Sequence, residues 1–166
     1  MNTEQNTKNL LDFLLERKNN LGKYKKFAKV WARPAIVGEA IQTVVSGKNE
    51  TGIRIAVVGE WVVSNIGAEG ELMIIDDKTF RKRYDVDNGM APLGASDGNK
   101  VYEPKNAYFY GIPYIGDEIT FTPPNWGGTT MTIRSGYMLG GTSPDTLYKD
   151  FYGIEGEAFT NTYRQE

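Results

Sequence analysis

A chain of 166 residues with neither cysteine nor histidine excludes disulfides, thiolate nucleophiles, sulfur-ligated zinc and imidazole acid–base chemistry. Its 40% hydrophobic and 24% charged residues suit a soluble globular protein, and no apolar run approaches the roughly 18 residues a membrane span needs. The net charge of −2 conceals a basic arm, because residues 1–33 hold Lys8, Arg17, Lys18, Lys23, Lys25, Lys26, Lys29 and Arg33 against only Glu4, Asp12 and Glu16.

The arm either meets an acidic partner or folds back on the acidic remainder, and the second reading is favoured because charge runs usually need no partner. The start, "MNTEQNTKNLLDFLLERK", has no basic segment followed by an apolar core, so a cytoplasmic location is expected. Leu10, Leu11, Leu14 and Leu15 form one stripe of a helix, with Asn6 or Thr7 as cap and Gly22 as stop. That stripe is expected to pack on the body of the same chain.

Beyond Gly22 the pattern turns to short β-rich runs, "AKVWARPAIVGEAIQTVV", "GIRIAVVGEWVVSN" and "GELMIID". Pro34 predicts an edge strand or a bend. Alternation predicts that Ile53, Ile55 and Val57 face the core. In "DDKTFRKRYD", Asp76 or Asp77 caps a short helical turn. Residues 85–99, rich in Asp, Asn, Gly, Pro and Ser, read as a loop or linker. Strands then resume with "NAYFYGI", "DEITFTP" and "TTMTIRSGYML", and the chain closes on "GEAFTNTYR".

Gly38 and Gly116, Ile41 and Ile119, Ile55 and Ile133, Gly59 and Gly136, Phe80 and Phe159, and Tyr84 and Tyr163 recur at separations of 77–79 residues. Such spacing predicts one unit written twice. The fold class is therefore mostly β (α+β), with two related small β modules in tandem behind an amphipathic helix. The expected division is residues 1–22 for the helix, 23–86 for the first module, 87–100 for a linker and 101–166 for the second module. At these residues the chain resembles the small domains of phage and bacterial proteins named for a P-G-D-Y-type motif. The resemblance rests on "YKKFAKVWARPAIVGEAIQT", "GEWVVSNIGAEGELMIIDDKTFRKRYD" and "PPNWGGTTMTIRSGYMLGG", although "VVGEW" stands where the name-giving motif would be. It implies a phage-associated small-domain protein and little chemistry.

Arg33 and Arg54, each flanked by apolar strand residues, are candidate anion ligands, since an inward guanidinium needs acceptors. Arg83, in the basic run Arg81–Lys82–Arg83, is a third, although such a run at a helix end also complements the dipole. Trp126 in its Pro/Gly loop and Tyr137 in the tyrosine-rich second half complete the candidate site, whereas Trp31 and Trp61 read as core. The glycine-rich "GAEGE" matches neither phosphate-loop pattern. No cofactor, metal or catalytic residue is assigned. The expected function is non-enzymatic binding of a small anionic molecule, such as a nucleotide, or of a protein partner; the resemblance alone implies the setting, a phage-type protein that antagonises host defence. Nucleic acid is disfavoured, a membrane is not expected and a homo-oligomer is left open. The rival readings are an enzyme using carboxylate and tyrosine chemistry on a nucleotide or sugar, and a virion or assembly component.

Overall fold

The computed structural model describes residues 2–42, 44–45, 48–49, 53–66, 68–90, 99–124, 126 and 128–166. Helix α1 (Thr3–Glu16) is followed by strands β1 (Gly22–Lys26), β2 (Val30–Pro34), β3 (Ala40–Ile41), β4 (Val44–Val45), β5 (Lys48–Asn49), β6 (Arg54–Ile55), β7 (Glu60–Asn65) and β8 (Ala68–Asp76). Helix α2 (Asp77–Arg83) leads to β9 (Lys100–Tyr102), β10 (Tyr108–Pro113), β11 (Ile119–Phe121), β12 (Met131–Ile133), β13 (Met138–Gly141) and β14 (Tyr152–Ile154), then α3 (Gly156–Thr162) and β15 (Tyr163–Gln165). The protein is mostly β, with an N-terminal helix and several antiparallel sheets. Among the described residues no helix is long and apolar enough to cross a membrane.

Two larger sheets carry the architecture, a five-stranded one in the order β14-β13-β10-β1-β15 and a four-stranded one in the order β8-β7-β2-β9. Sequence order and sheet membership disagree at two strands. The strand that precedes β2 pairs with β10 and β15, with Tyr24 opposite Phe109 and Lys26 opposite Tyr163. Conversely, β9, which precedes β10, pairs with β2 through Val30 opposite Tyr102. Each half thus lends its leading strand to the sheet of the other. Part of the expected linker is also ordered, since Met90 and Val101 exchange backbone hydrogen bonds of 2.9 and 2.7 Å; residues 91–98 of that segment and the side chains of "GAEGE" lie outside the described residues.

The short helices end alike. Asp76 and Glu155 cap α2 and α3 by accepting from backbone amides, and the amides of Tyr84 and Tyr163 donate to the carbonyls of Phe80 and Phe159. Phe80 stacks on Trp61 at 4.2 Å within the core of the four-stranded sheet, and Phe159 stacks on Tyr163 at 5.1 Å within that of the five-stranded sheet. Gly59 and Gly136, which precede β7 and β13, both take the left-handed backbone at φ of 82° and 98°. Gly38 does so at 90°, whereas Gly116 does not. Two of the recurring pairs therefore do not correspond: Gly38 and Gly116 differ in backbone, and Ile41 lies opposite Arg54 whereas Ile119 lies opposite Ile133.

Helix α1 buries Leu10 and Leu14 in a core with Phe121, Met131, Ile133, Leu139 and Phe151, with Leu11 packed against it, so most of the predicted stripe is covered by the second half of the same chain while Leu15 stays 45% exposed. Its cap is Asn2, whose side chain accepts from the Gln5 amide, and not Asn6 or Thr7. Those two side chains instead bind β11 and the residue following it: Asn6 Nδ2 donates to the Thr120 carbonyl at 2.7 Å, and Thr7 Oγ1 accepts from the Thr122 amide at 2.9 Å. Pro34 ends β2 beyond the last residue that pairs with β9, where its missing N–H costs no ladder bond.

Candidate functional site

Two heptapeptides in the first half share one pattern: Arg33-Pro-Ala-Ile-Val-Gly-Glu39 and Arg54-Ile-Ala-Val-Val-Gly-Glu60. In each, the glutamate amide reaches back to the carbonyl three residues earlier, Glu39 to Ile36 at 3.0 Å and Glu60 to Val57 at 3.4 Å. The glycine before it, Gly38 or Gly59, sits at positive φ. This is a type II turn, in which the third position requires glycine. The glutamate side chain then locks the turn, since Oε1 accepts from the Ile36 amide at 2.8 Å in one and from the Val57 amide at 2.7 Å in the other. The arginine six residues upstream clasps that carboxylate in both: Arg33 grips Glu39 with two bonds of 2.7 and 2.8 Å, and Arg54 binds Glu60 at 2.8 Å and the Ile74 carbonyl at 2.9 Å. The Arg33 hydrogen bonds, helped by the Ile36 amide, bring the Glu39 carboxyl down to about 2.

The two turns lie side by side and brace each other reciprocally. The Ala56 amide donates to the Glu39 carbonyl at 2.9 Å, and the Ala35 amide donates to the Glu60 carbonyl at 2.8 Å. Held this way, Ile36, Val37, Val57 and Val58 project into water, and Ile53 just before β6 and Ile55 on it add to them; all six are between 54% and 83% exposed. The sequence pattern predicts Ile53, Ile55 and Val57 in the core, and the structure reverses them. Alternation fixes only that Ile53 and Ile55 share a face, and Arg54 between them turns inward to meet Glu60 and Ile74, which forces its neighbours out. The six side chains leave on the order of 600 Å² of apolar surface uncovered, at the upper end of the ~300–600 Å² typical of the largest patch on a monomer.

Of the residues predicted from sequence, Arg33 and Arg54 belong to this site, but as clasps under the turns. The other three lie elsewhere. Tyr137 is buried in the α1 core, with Arg134 Nη1 on its hydroxyl at 3.1 Å, and Trp126 packs half-buried against the same core, 6.2 Å from the Tyr152 ring. Arg83 is buried where the halves meet, donating to Tyr163 Oη at 2.7 Å and to the Tyr108 carbonyl at 3.1 Å. Trp61 is core, as the sequence predicts, whereas Trp31 is half-buried on the opposite face of β2. Much of the basic arm folds back on acids, Lys18 on Asp145, Lys29 on Glu103 and Lys23 on Glu166. Sequence reasoning missed the twin turns, although the repeated heptapeptide was the signal that marks them.

Next to Arg83, Lys26 is also buried, with Nζ donating to Tyr84 Oη at 2.7 Å and lying 5.8 Å from the Tyr163 ring. Burial is the main cause of a Lys26 pKa lowered to about 8. Between pH 8 and about 10 the unfolded lysine keeps its proton while the folded one loses it, so stability rises with pH across that window. Burial raises the Tyr84 and Tyr152 phenols, which reverses the trend once unfolded tyrosines ionise above about pH 10. Urea titrations at stepped pH are expected to show a gain of about 2 kcal/mol from pH 7.5 to 10, and Lys26→Met, which keeps the stem and drops the charge, is expected to abolish it. An unchanged slope in the variant would show that Lys26 is not its source.

In the two turns Arg33 pairs with Glu39 and Arg54 with Glu60, and among the described residues no cluster of three carboxylates gathers to hold a metal ion. Comparison with family models, with curated proteins and with solved structures found no match to this chain.

Proposed function

We propose that the protein is a non-enzymatic binding module that docks a protein partner through the twin turns. The observation that carries this reading is the set of six aliphatic side chains held in water by two locked turns, each with its charges already neutralised. A rigid surface loses little entropy on binding, so more of the apolar contribution survives as affinity. Covering about 600 Å² at about 25 cal/mol per Å² contributes roughly 15 kcal/mol, against association costs of about 4–15 kcal/mol. That balance is in the range of a specific complex.

The matched ends of α2 and α3 and the reciprocal leading strands support reading the chain as one module written twice. In that reading the first copy carries the docking surface, because the turn before β13, Arg134-Ser-Gly-Tyr137, presents polar residues where the first half presents Val57 and Val58. The resemblance to phage-type small domains supplies the setting, with a host protein as the partner and antagonism of host defence as the outcome.

Val58→Asp tests the proposal, since it places a charge on the outermost tip without touching the clasp. The fold is expected to keep its stability within about 0.5 kcal/mol, as exposed substitutions usually do. Capture of a protein by a photo-reactive residue placed at Val37 in the producing cell is expected to fall roughly tenfold or more. Capture that survives Val58→Asp, or that is no stronger than from a probe at exposed Lys82, would sink the reading.

A further inference from the structure

The outer face of the five-stranded sheet carries a row of cations and aromatic rings, unlike the apolar turns in character. Directly paired residues of antiparallel strands share a face, so the register sets Lys23 beside Tyr110, Lys25 beside Tyr108 and Lys25 beside Arg164. Phe27, two residues beyond Lys25, completes the row. Three cations and three rings therefore alternate across one side of β1, β10 and β15. Lys23 Nζ stands 4.8 Å from the Tyr108 ring centre and 6.0 Å from that of Tyr110, Lys25 Nζ is 5.9 Å from Tyr108, and Arg164 Cζ is 4.1 Å from Phe27. The opposite face of the same strands is packed by Phe109, Phe159 and Tyr163, so the display is mounted on a buried core.

Charge is in surplus here. Glu166 pairs with Lys23 at 3.4 Å, while Lys25 and Arg164, both exposed, enter no ion pair among the described residues.

We propose that this face binds a phosphate-bearing aromatic group, the chemistry of a nucleotide unit, with the base stacked on Tyr108 or Tyr110 and the phosphate held by Lys25 and Arg164. Bare phosphate needs only the cations, and an apolar ring needs only the tyrosines; a ligand with both uses the interleaving. Aromatic rings on a sheet are a sequence-tolerant platform for bases, and each lysine can swing from ring to phosphate at little cost because it is exposed. Residues two apart on a strand are about 6.7 Å apart, a separation that neighbouring phosphates of an extended strand also reach. Duplex bases are stacked and their faces hidden, so the source is either free nucleotide or an unpaired strand.

Fluorescence anisotropy separates these sources, with a fluorescent ATP analogue as one probe and a labelled dodecathymidylate as the other, in about 50 mM salt. Saturable binding of either is expected, competed by inorganic phosphate. Tighter binding of the oligonucleotide names the strand as the source, and equal or tighter binding of the ATP analogue names the free nucleotide. Lys25→Glu is expected to weaken binding roughly tenfold or more, and Tyr110→Ala roughly fivefold or more. With two or three cations engaged, the affinity for the oligonucleotide is expected to fall with salt at a log–log slope of about −2. Absence of saturable binding by both probes overturns the proposal. So does a loss from Lys82→Glu, at the exposed end of α2, equal to that from Lys25→Glu. If Tyr110→Ala fails to fold, the exposed Lys25→Glu still decides the outcome.

Discussion

Produced separately, residues 1–90 and residues 99–166 are each expected to remain largely unfolded, and to recover the native circular dichroism spectrum only when mixed. The reason is the reciprocal loan of strands. The first fragment keeps β1 but loses β10 and β15, the two neighbours to which β1 is bonded, and exposes the edge of β2 where β9 would lie. It also carries α1 without the core that covers Leu10 and Leu14. The second fragment loses α1 and strand β1, which lies between β10 and β15 in its five-stranded sheet. An unpaired strand edge with an open apolar face has no stable arrangement in water, and small sheets fold only with a covered face. Mixing restores the pairings among the described residues, and a bimolecular association replaces the loop closure, so recovery is expected to rise with fragment concentration. A cooperative transition in either fragment alone would contradict the interlocked architecture.

Phe80→Ala is expected to destabilise the intact protein by about 3–5 kcal/mol, which lowers the thermal midpoint by about 10 °C in a chain of this size. Phe80 is fully buried among Trp61, Tyr84 and Tyr102, with ring centres 4.2, 5.0 and 5.3 Å away. Tyr102 comes from the loaned strand β9, so deletion of this ring loosens a contact between the halves as well as one within the first. Phe80→Leu, which refills much of the volume, is expected to cost about 1.5 kcal/mol or less. Phe159→Ala should follow with a somewhat smaller loss, because Phe159 is 6% exposed and so leaves a less enclosed void. Chemical denaturation of the four proteins gives these differences directly, and a Phe80→Ala loss below 1 kcal/mol would show that the stack is not a keystone of the core.

Local chemistry was legible in the sequence where one residue has one job. The Asp76 cap, the Phe80 and Tyr84 pair and the glycine ahead of β7 all follow from propensity and spacing, as does the burial of Leu10 and Leu14 on α1. Pairing was not legible, because nothing in "GKYKK" states that its partner is "YFYGIP" some eighty residues on. The same gap hid the site. Period-two alternation places Ile53 and Ile55 on one face but cannot say which face is inward; that is decided by Arg54, whose guanidinium must reach acceptors, and Glu60 supplies them only on the inner side. The heptapeptides ending at Glu39 and Glu60 are plain once aligned, yet they stand twenty-one positions apart, inside one half, whereas the longer spacing between halves draws the eye. Arg83 was a sound candidate by type, but its chain position at the end of α2 puts it under the tyrosines of the other half.

Because Arg33 and Arg54 already quench Glu39 and Glu60, the tips above them contribute no long-range field. Anything seated there is indifferent to electrolyte, or is gripped harder as salting-out strengthens apolar burial, while a polyanion on the lysine-bearing sheet is released. Raising the sodium chloride concentration should therefore strip one class of visitor from the molecule and leave the other in place, so that a simple gradient elution reports which surface a bound molecule occupies.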